Sequence, residues 1–344
     1  MRNPALNRRS PLLRAVAVIG AVIVAVGGIA AGCASGNLKV KKIDSVASQP
    51  ANVAVYFTVA TETGDPVPDL QTNNFKISEG GKVIPEKTAK RMLLDPRVAM
   101  SQSTLVLIDM SGPVVDSEDM PELMTAVRHL VERLSRLQQV AVSVFDGSDE
   151  LAPVLGFAAP DVRHGLESMR TYRPRRRTSN LNGAIIEGLA VLEKQNESAQ
   201  VPHAFGNLVI FTDRGDQSRK YQPGEVKKAI DKSDASVYVI AVGAKVNREE
   251  MQALARGGFF FSLDPKDLTK GFTSIGKRMD DVAASHYVLS YCSTKKKGNQ
   301  TMEVEVVAPN DSGHFKHKFN ADGFKPASCS PKKRPIFEEA AKAR

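Results

Sequence analysis

Short apolar runs alternate with amphipathic stretches through the middle of this chain. The runs have the length and composition of buried strands, and they lie at 104–108, 139–145, 207–211, 236–242 and 258–261, with a weaker run at 152–156. Between them, apolar residues recur every three or four positions at about 120–137, 183–192 and 265–279, which is the spacing of helices that pack on one face. Alternation of strands and helices over 103–285 predicts a doubly wound, mostly parallel sheet with helices on both faces.

Both flanks of this region carry a different pattern, in which apolar and polar residues alternate with a period of two. Such segments occur at 52–59 and 74–81 before it, and at 286–291, 302–307 and 314–319 after it. Strands that are apolar on one side need a partner to cover that side. We therefore predict that residues 51–100 and 286–330 form one small β-sandwich with the α/β domain inserted between them, and that 82–102 is irregular.

Polar side chains follow the buried runs at the point where each strand should end. Asp109 and Ser111 follow the run at 104–108, Asp213 follows the run at 207–211, and Ser179 precedes the helix at 183–192. Open α/β sheets place their sites at the carboxyl ends of the strands. Carboxylate and hydroxyl oxygens are ligands that Mg²⁺ accepts, with waters in the remaining positions.

These residues stand in the segments Asp-Met-Ser-Gly-Pro, Ser-Asn-Leu-Asn-Gly-Ala and Thr-Asp-Arg-Gly-Asp, which resemble the motifs of the von Willebrand factor type A domain. The resemblance implies a Rossmann-like fold and one divalent cation, Mg²⁺ or another, in a metal-ion-dependent adhesion site. It assigns Asp109, Ser111, Ser179 and Asp213 as ligands and an acidic group of a protein partner as the completing ligand. The sequence departs from the pattern at Pro113, which stands where the family has a second serine.

Arginines surround the predicted site. Arg175, Arg176 and Arg177 directly precede Thr178 and Ser179, and Arg214 follows Asp213. Three interpretations stay open: the arginines attract an acidic partner, they replace the cation as counter-charge, or they form a solvated loop.

Several function classes find no support in the sequence. A haloacid dehalogenase-type phosphatase needs an acid two residues after its nucleophilic aspartate, and this sequence has Ser111 at that position. No nucleotide-binding glycine fingerprint or nucleophile elbow occurs. The chain has no Trp and 6% aromatic residues, which argues against stacking on nucleic acid bases. We predict a protein that is not an enzyme and does not bind nucleic acid.

The first 32 residues have the features of an export signal, with basic residues before an apolar run at 15–31. The junction Ile29-Ala-Ala-Gly-Cys33 resembles the bacterial lipobox, which implies cleavage, lipid on Cys33 and membrane attachment. The alternative is an uncleaved anchor. Ala34 favours the outer membrane of a bacterial envelope. Without the four arginines of this segment the net charge falls from +9 to +5. We predict a polar tether over 33–50.

Two cysteines remain if Cys33 carries lipid. An even pair in an oxidising compartment predicts a Cys292–Cys329 disulfide, and the alternative is two separate buried thiols. Residues 331–344 are predicted to be frayed.

Two functional hypotheses follow. In the first, the chain is a lipid-anchored envelope protein whose α/β domain binds a protein partner at the Asp109 site, with a cation if the site is intact. In the second, it is a structural lipoprotein of an envelope assembly, and the metal site is vestigial.

Overall fold

The computed structural model describes residues 38–112, 116–157, 162–309 and 311–337. The predicted signal peptide, the lipidation site Cys33, Pro113 and the last seven residues lie outside these ranges. Residues 35–344 form one compact unit, and its four clusters of buried apolar side chains are built from residues after position 37. This part of the chain therefore carries its own core, which is the usual condition for folding alone. No helix in the described ranges is long and apolar enough to span a bilayer.

The central sheet has six strands in the order β11-β10-β9-β6-β7-β8. Every neighbouring pair is parallel except β7 and β8, which run antiparallel at one edge. The strands are β6 Met100–Asp109, β7 Gln139–Phe145, β8 Ala152–Leu155, β9 His203–Arg214, β10 Ser236–Lys245 and β11 Gly258–Ser262. This confirms the predicted α/β class and the edge position of the weaker apolar run.

Helices cover both faces of the sheet. The first helix, α1 Glu86–Ala89, packs in the β-sandwich. The helices on the sheet are α2 Met120–Leu134, α3 Val162–Thr171, α4 Leu181–Glu197, α5 Pro223–Lys232, α6 Arg248–Leu254 and α7 Leu268–Ala284. One apolar cluster joins α2, α3 and α7 to Val106 and Ile108 of β6. Another joins α4, α5 and α6 to Leu105 and Leu107. Because successive strand residues point to opposite faces, even and odd positions of β6 supply the two cores.

Two four-stranded antiparallel sheets form the β-sandwich, in the orders β1-β2-β12-β5 and β14-β13-β3-β4. Their strands are β1 Lys39–Ser48, β2 Asn52–Ala60, β3 Phe75–Glu79, β4 Lys82–Val83, β5 Met92–Leu94, β12 His286–Cys292, β13 Asn299–Val307 and β14 Ser312–Asn320. Both sheets contribute to one apolar core, in which the rings of Phe57, Phe75 and Tyr287 pack together. Segments from both flanks build this core, as the sequence predicted.

The predicted tether contains a strand. Residues 39–48 pair along their length with β2, from Lys39 opposite Ala60 to Ser48 opposite Asn52, with a bulge between Lys42 and Asp44. The prediction was wrong here because the lysines suggested a solvated linker, whereas an edge strand of a sandwich also keeps alternate side chains in water. Residues 82–102 likewise contain β4, α1 and β5.

The carboxyl-terminal segment is also held more firmly than predicted, as far as it is described. Phe337 is 4% exposed and packs with Tyr56, Met100 and Val288. Residues 338–344, the rest of the predicted frayed tail, lie outside the described ranges. The predicted disulfide is confirmed, since Cys292 and Cys329 are bonded with an S–S distance of 2.06 Å.

Candidate functional site

Asp109 ends β6 in a fully buried position at the carboxyl edge of the central sheet. Its Oδ1 accepts a hydrogen bond from the Ser111 N–H at 3.0 Å, and its Oδ2 accepts hydrogen bonds from the hydroxyls of Ser179 and Thr212, both at 2.8 Å. Burial raises the pKa of Asp109, although these hydrogen bonds oppose the shift. The charged carboxylate is therefore incompletely compensated, and a cation beside it would stabilise it.

Ser111 lies in the same pocket of polar atoms with its side chain fully buried. Its Oγ has no partner of good hydrogen-bond geometry among the described residues, although the hydroxyl lies near enough to Asp109 to lower the pKa of that carboxyl. A buried hydroxyl without a partner is costly, so such a group commonly marks the place of a missing ligand. The structure thus brings three of the four predicted ligands, Asp109, Ser111 and Ser179, to one point.

Asp213, the fourth predicted ligand, is held elsewhere. Its carboxylate accepts two hydrogen bonds from Arg214, from Nε and from one terminal nitrogen, each at 2.8 Å. Asp213 also lines a cavity of about 270 Å³ together with Phe211 and Val242, two residues that belong to the core on the α2 and α7 face. The hydroxyl that reaches Asp109 from β9 belongs to Thr212 instead.

Thr212 was missed by the sequence analysis, although the period of a strand could have indicated it. In β9, Leu208 and Ile210 pack on the α4 and α5 face, so Thr212 points to that face and Asp213 to the other. In β6, Leu105 and Leu107 share that face, and Asp109 continues their alternation. Because side chains alternate between the faces along each strand, Asp109 and Thr212 are predicted to lie on the same face of the sheet.

The loop before α4 is fixed by its neighbours. The N–H groups of Gln217 and Ser218 donate to the Ser179 carbonyl at 2.8 and 3.1 Å, and the Ser179 N–H donates to Gln217 Oε1 at 3.2 Å. Asn180 caps the helix by accepting from the Gly183 N–H at 3.3 Å. Asp216 accepts from the Asn182 N–H at 3.0 Å, so its carboxylate stabilises the helix start and lies outside the Asp109 cluster.

Asp146, directly after β7, fixes the loop that carries Arg175, Arg176 and Arg177. Its carboxylate accepts hydrogen bonds from the Ser148 N–H at 2.6 Å, from the Tyr172 hydroxyl at 2.8 Å and from the Arg175 N–H at 2.6 Å. Burial raises the pKa of Asp146, but these hydrogen bonds together lower it below its ordinary value. Asp146 therefore has a structural role.

The four predicted rim arginines differ in exposure. Arg175, Arg176 and Arg177 are exposed, and Arg177 forms an ion pair with Asp116. A Cβ on Gly112 would lie 3.0 Å from the Arg177 Nε, so this side chain lies against the loop that carries Ser111. The prediction that Arg214 belongs to this exposed group was wrong. Its side chain is only 6% exposed and pairs with Asp213.

The donor set fits a weakly held hard cation. Asp109, Ser111 and Ser179 would hold it, with waters in the remaining positions, and its charge would attract an acidic side chain of a partner. Among the described residues no three His, Cys, Asp or Glu side chains form a metal-binding group. A single carboxylate among hydroxyls gives a lower affinity than the carboxylate-rich sites of dedicated metalloproteins.

Comparison with known proteins agrees with this fold. The family described as von Willebrand factor type A domain matches residues 105–274. No curated protein sequence matches the chain at a significant level.

Three solved structures are similar at low sequence identity. Proximal thread matrix protein 1 from the mussel byssus is 13% identical with a TM-score of 0.42, and the match covers 53% of this chain and 48% of the mussel chain. A von Willebrand factor type A protein from Catenulispora acidiphila is 11% identical with a TM-score of 0.40, covering 83% and 74%. The ArnB paralog VWA2 from Sulfolobus acidocaldarius is 14% identical with a TM-score of 0.41, covering 85% and 76%. This chain thus spans about half the length of the mussel protein.

Proposed function

Because residues 105–274 form a von Willebrand factor type A domain, we propose that this chain is a lipid-anchored envelope protein that binds a protein partner at the Asp109 site. Domains of this family mediate protein–protein interaction and are generally not enzymes. The observation that carries the proposal is the buried Asp109 with three hydroxyls around it, one of which, Ser111 Oγ, has no partner among the described residues. This arrangement is suited to a cation, and the Ser111 hydroxyl has no evident structural use in it.

The surroundings of the site indicate an acidic partner. Arg175, Arg176 and Arg177 are exposed beside it, and Arg176 forms no ion pair with a described residue, whereas Arg175 pairs with Glu150 and Arg177 with Asp116. Complementary charges speed association and select partners. In the bound state an acidic side chain of the partner completes the coordination of a divalent cation on Asp109.

A titration tests the cation. The chain 35–344, stripped with chelator, is titrated with Mn²⁺ and with Mg²⁺ by calorimetry, with Asp109→Ala as the control and circular dichroism as the check of folding. Saturable heat that disappears in Asp109→Ala is the expected result. Wild-type protein that gives no heat at millimolar metal would contradict a cation-dependent site.

Cross-linking in cells tests the partner. A photoreactive residue at the exposed position 176 should capture one protein, and the same residue in Asp109→Ala should capture much less of it. A cross-link that Asp109→Ala leaves unchanged would show that the partner binds another surface.

The membrane anchor is tested separately. The junction before Cys33 supports lipidation of that cysteine and export to the bacterial outer membrane. Cys33→Ser should remove incorporation of labelled palmitate and release the chain from the envelope fraction. Retention of label in Cys33→Ser would refute this assignment.

One pair of contacts favours a second candidate, a structural envelope protein with a vestigial site. Arg214 holds Asp213 through two hydrogen bonds, and Arg177 lies against Gly112. Both guanidinium groups supply positive charge near the strand ends without a metal. This candidate predicts that the metal titration is silent and that the Asp109 variant keeps every interaction of the wild type.

A further inference from the structure

The end of the β-sandwich farthest from the α/β domain is formed by three loops, 79–82, 292–299 and 320–334, which we call the basic end. β12 enters the sandwich from α7 at His286 and leaves it at Cys292, so these loops lie opposite the domain junction. The loops join strands of both sheets, since β3, β12 and β14 end there and β13 begins there.

Several bonds hold the three loops in one place. The Cys292–Cys329 disulfide links the second loop to the third. The Gly298 N–H donates to Asp322 Oδ1 at 2.6 Å, and the Ala321 N–H donates to the Gly298 carbonyl at 3.0 Å. The first loop joins them through Glu79, whose carboxylate accepts a hydrogen bond from the Thr294 hydroxyl at 3.0 Å. The surface is therefore built by loops that are bonded to one another.

The charge of these loops is strongly one-sided. They carry eight basic residues and two carboxylates. The basic residues are Lys82, Lys295, Lys296, Lys297, Lys325, Lys332, Lys333 and Arg334. Within the described part of the chain none of the eight forms an ion pair. Both carboxylates serve internal hydrogen bonds, because Asp322 binds the Gly298 N–H and Glu79, 1% exposed, accepts from the Tyr291 hydroxyl at 3.0 Å.

The three loops therefore carry a net charge of 8 − 2 = +6, in a chain whose net charge is +9. Some lysines of the α/β domain are compensated instead, since Lys220, Lys227 and Lys277 each pair with an aspartate. Uncompensated lysines on one end of a molecule create a positive potential that reaches about 10 Å into solution at ordinary ionic strength.

The chemistry of the basic end favours a lipid surface over a nucleic acid. A large apolar side chain is exposed next to the charges, since Val83, beside Lys82, is 68% exposed. Basic residues with exposed apolar neighbours are typical of surfaces that bind at the bilayer interface. The aromatic ring of these loops, Phe324, is 6% exposed and packs on Phe319, so it offers no platform for bases.

We propose that the basic end binds the surface of an anionic lipid bilayer. Lysines act as mobile point charges that suit a diffuse layer of phosphate headgroups, whereas bidentate recognition of a single phosphate calls for arginine. Seven of the eight basic residues are lysine. This contact lies on the sandwich, so it is distinct from the Asp109 site, and the chain 35–344 used in the test carries no lipid on Cys33.

Vesicle flotation of the chain 35–344 tests the proposal. Vesicles of phosphatidylcholine alone are compared with vesicles that contain phosphatidylglycerol. The triple variant Lys295→Gln, Lys296→Gln, Lys297→Gln should weaken partitioning onto the anionic vesicles roughly a hundredfold, since each lysine near a surface contributes roughly a fivefold factor. A matched triple, Lys227→Gln, Lys228→Gln, Lys232→Gln on α5, removes the same charge elsewhere and should change partitioning less than about threefold.

Three results would overturn the proposal. They are equal partitioning of the wild type and the loop variant, equal losses in both triple variants, and equal binding to neutral and anionic vesicles. Strong binding of dextran sulfate without a preference for anionic vesicles would also overturn it and would assign the basic end to a soluble polyanion. If the loop triple unfolds at a lower temperature than the wild type, the double variant Lys332→Gln, Arg334→Gln replaces it, with an expected loss of roughly twentyfold.

Discussion

At the scale of single residues, Ser111 and Ser179 offer a direct contrast within one site. The Ser179 hydroxyl donates to Asp109 at 2.8 Å, whereas the Ser111 hydroxyl is buried and has no partner in the described ranges. Ser179→Ala should lower the free energy of unfolding by about 2 kcal/mol, the usual contribution of a hydrogen bond to a charged group. Ser111→Ala should leave it unchanged or raise it by about 1 kcal/mol, because an unsatisfied polar group is removed.

Urea denaturation of both variants and the wild type measures these differences. Equal destabilisation by the two alanines would mean that Ser111 also has a structural partner in solution. Both variants should weaken Mn²⁺ binding, so a stable Ser111→Ala protein that no longer binds Mn²⁺ would separate the role of this hydroxyl in binding from any role in folding.

Arg177 is an exposed basic residue that lies against the loop carrying Ser111. Its side chain contacts Gly112, the residue after Ser111, and its charge is balanced by Asp116. Because like charges repel, Arg177→Gln should tighten Mn²⁺ binding about tenfold, the scale expected for a single charge several ångströms from a divalent ion near the surface. Calorimetric titration measures the change.

Arg176→Gln is the matched control for this prediction, since Arg176 is exposed on the same loop and the same charge is removed. Its effect on Mn²⁺ binding should be at most about twofold, because exposed charges farther away are screened. If Arg177→Gln weakened binding instead, the guanidinium would be supporting the site.

Three of the four site residues could be placed from the sequence, and the fourth could not, because its position depends on the register of β9. Asp109, Ser111 and Ser179 were found because motif spacing and strand order agree. Asp213 was assigned by the same resemblance, yet its neighbour Thr212 makes the contact with Asp109. A shift of one residue along a strand moves a side chain to the other face of the sheet, and motif spacing alone does not settle that register.

At the scale of elements, the Cys292–Cys329 disulfide closes a loop with a sequence separation of 37 residues around β13 and β14. The loop-entropy relation assigns about 4 kcal/mol to a crosslink of this length. The double variant Cys292→Ser, Cys329→Ser should therefore lose about 4 kcal/mol of stability in urea denaturation of chain 35–344.

The wild type with and without reductant is the control, and reduction should reproduce the loss in the wild type while leaving the double variant unchanged. A double variant that is as stable as the oxidised wild type would show that the loops of the basic end are fixed by their hydrogen bonds alone.

Elements were predicted well where the apolar signal is strong and poorly where an element is short or half exposed. The buried strands and α2 follow directly from apolar periodicity. In contrast, β1 presents lysines on its exposed side, and β5 has only three residues. Such strands are specified by pairing with β2 and β12, which are distant in the sequence. No local pattern carries that information.

At the scale of the whole molecule, the α/β domain and the sandwich meet around a group of aromatic and titratable side chains. The hydroxyl of Tyr56 in β2 forms a hydrogen bond with His286 Nδ1 at 2.6 Å, and the ring of Phe205 packs against the same imidazole. The Nε2 atom of His203, at the start of β9, lies 2.9 Å from Oδ2 of Asp44 in β1. The domain inserted between two β segments could be predicted from the change of period, but the residues of this junction could not, because they come from strands that are far apart in the sequence.

This junction gives the molecule a pH-dependent stability. Burial lowers the pKa of His286 from 6.5 to about 4, so the native imidazole is neutral down to that range. The unfolded chain takes up this proton at about pH 6.5. Between these values only the unfolded state binds the proton, so the free energy of unfolding should fall as the pH decreases from 6.5 to about 4, by about 3 kcal/mol in total.

The measurement is urea denaturation of chain 35–344 at intervals from pH 7.5 to 4, compared with His286→Gln. The variant keeps the Asp44–His203 contact and every carboxylate, so the difference between the two curves isolates one imidazole. That difference should be constant above pH 6.5 and should shrink as the pH falls towards 4, because glutamine does not titrate. Parallel curves would mean that the pKa of His286 is the same in the native and the unfolded state, so that burial against Tyr56 and Phe205 does not lower it.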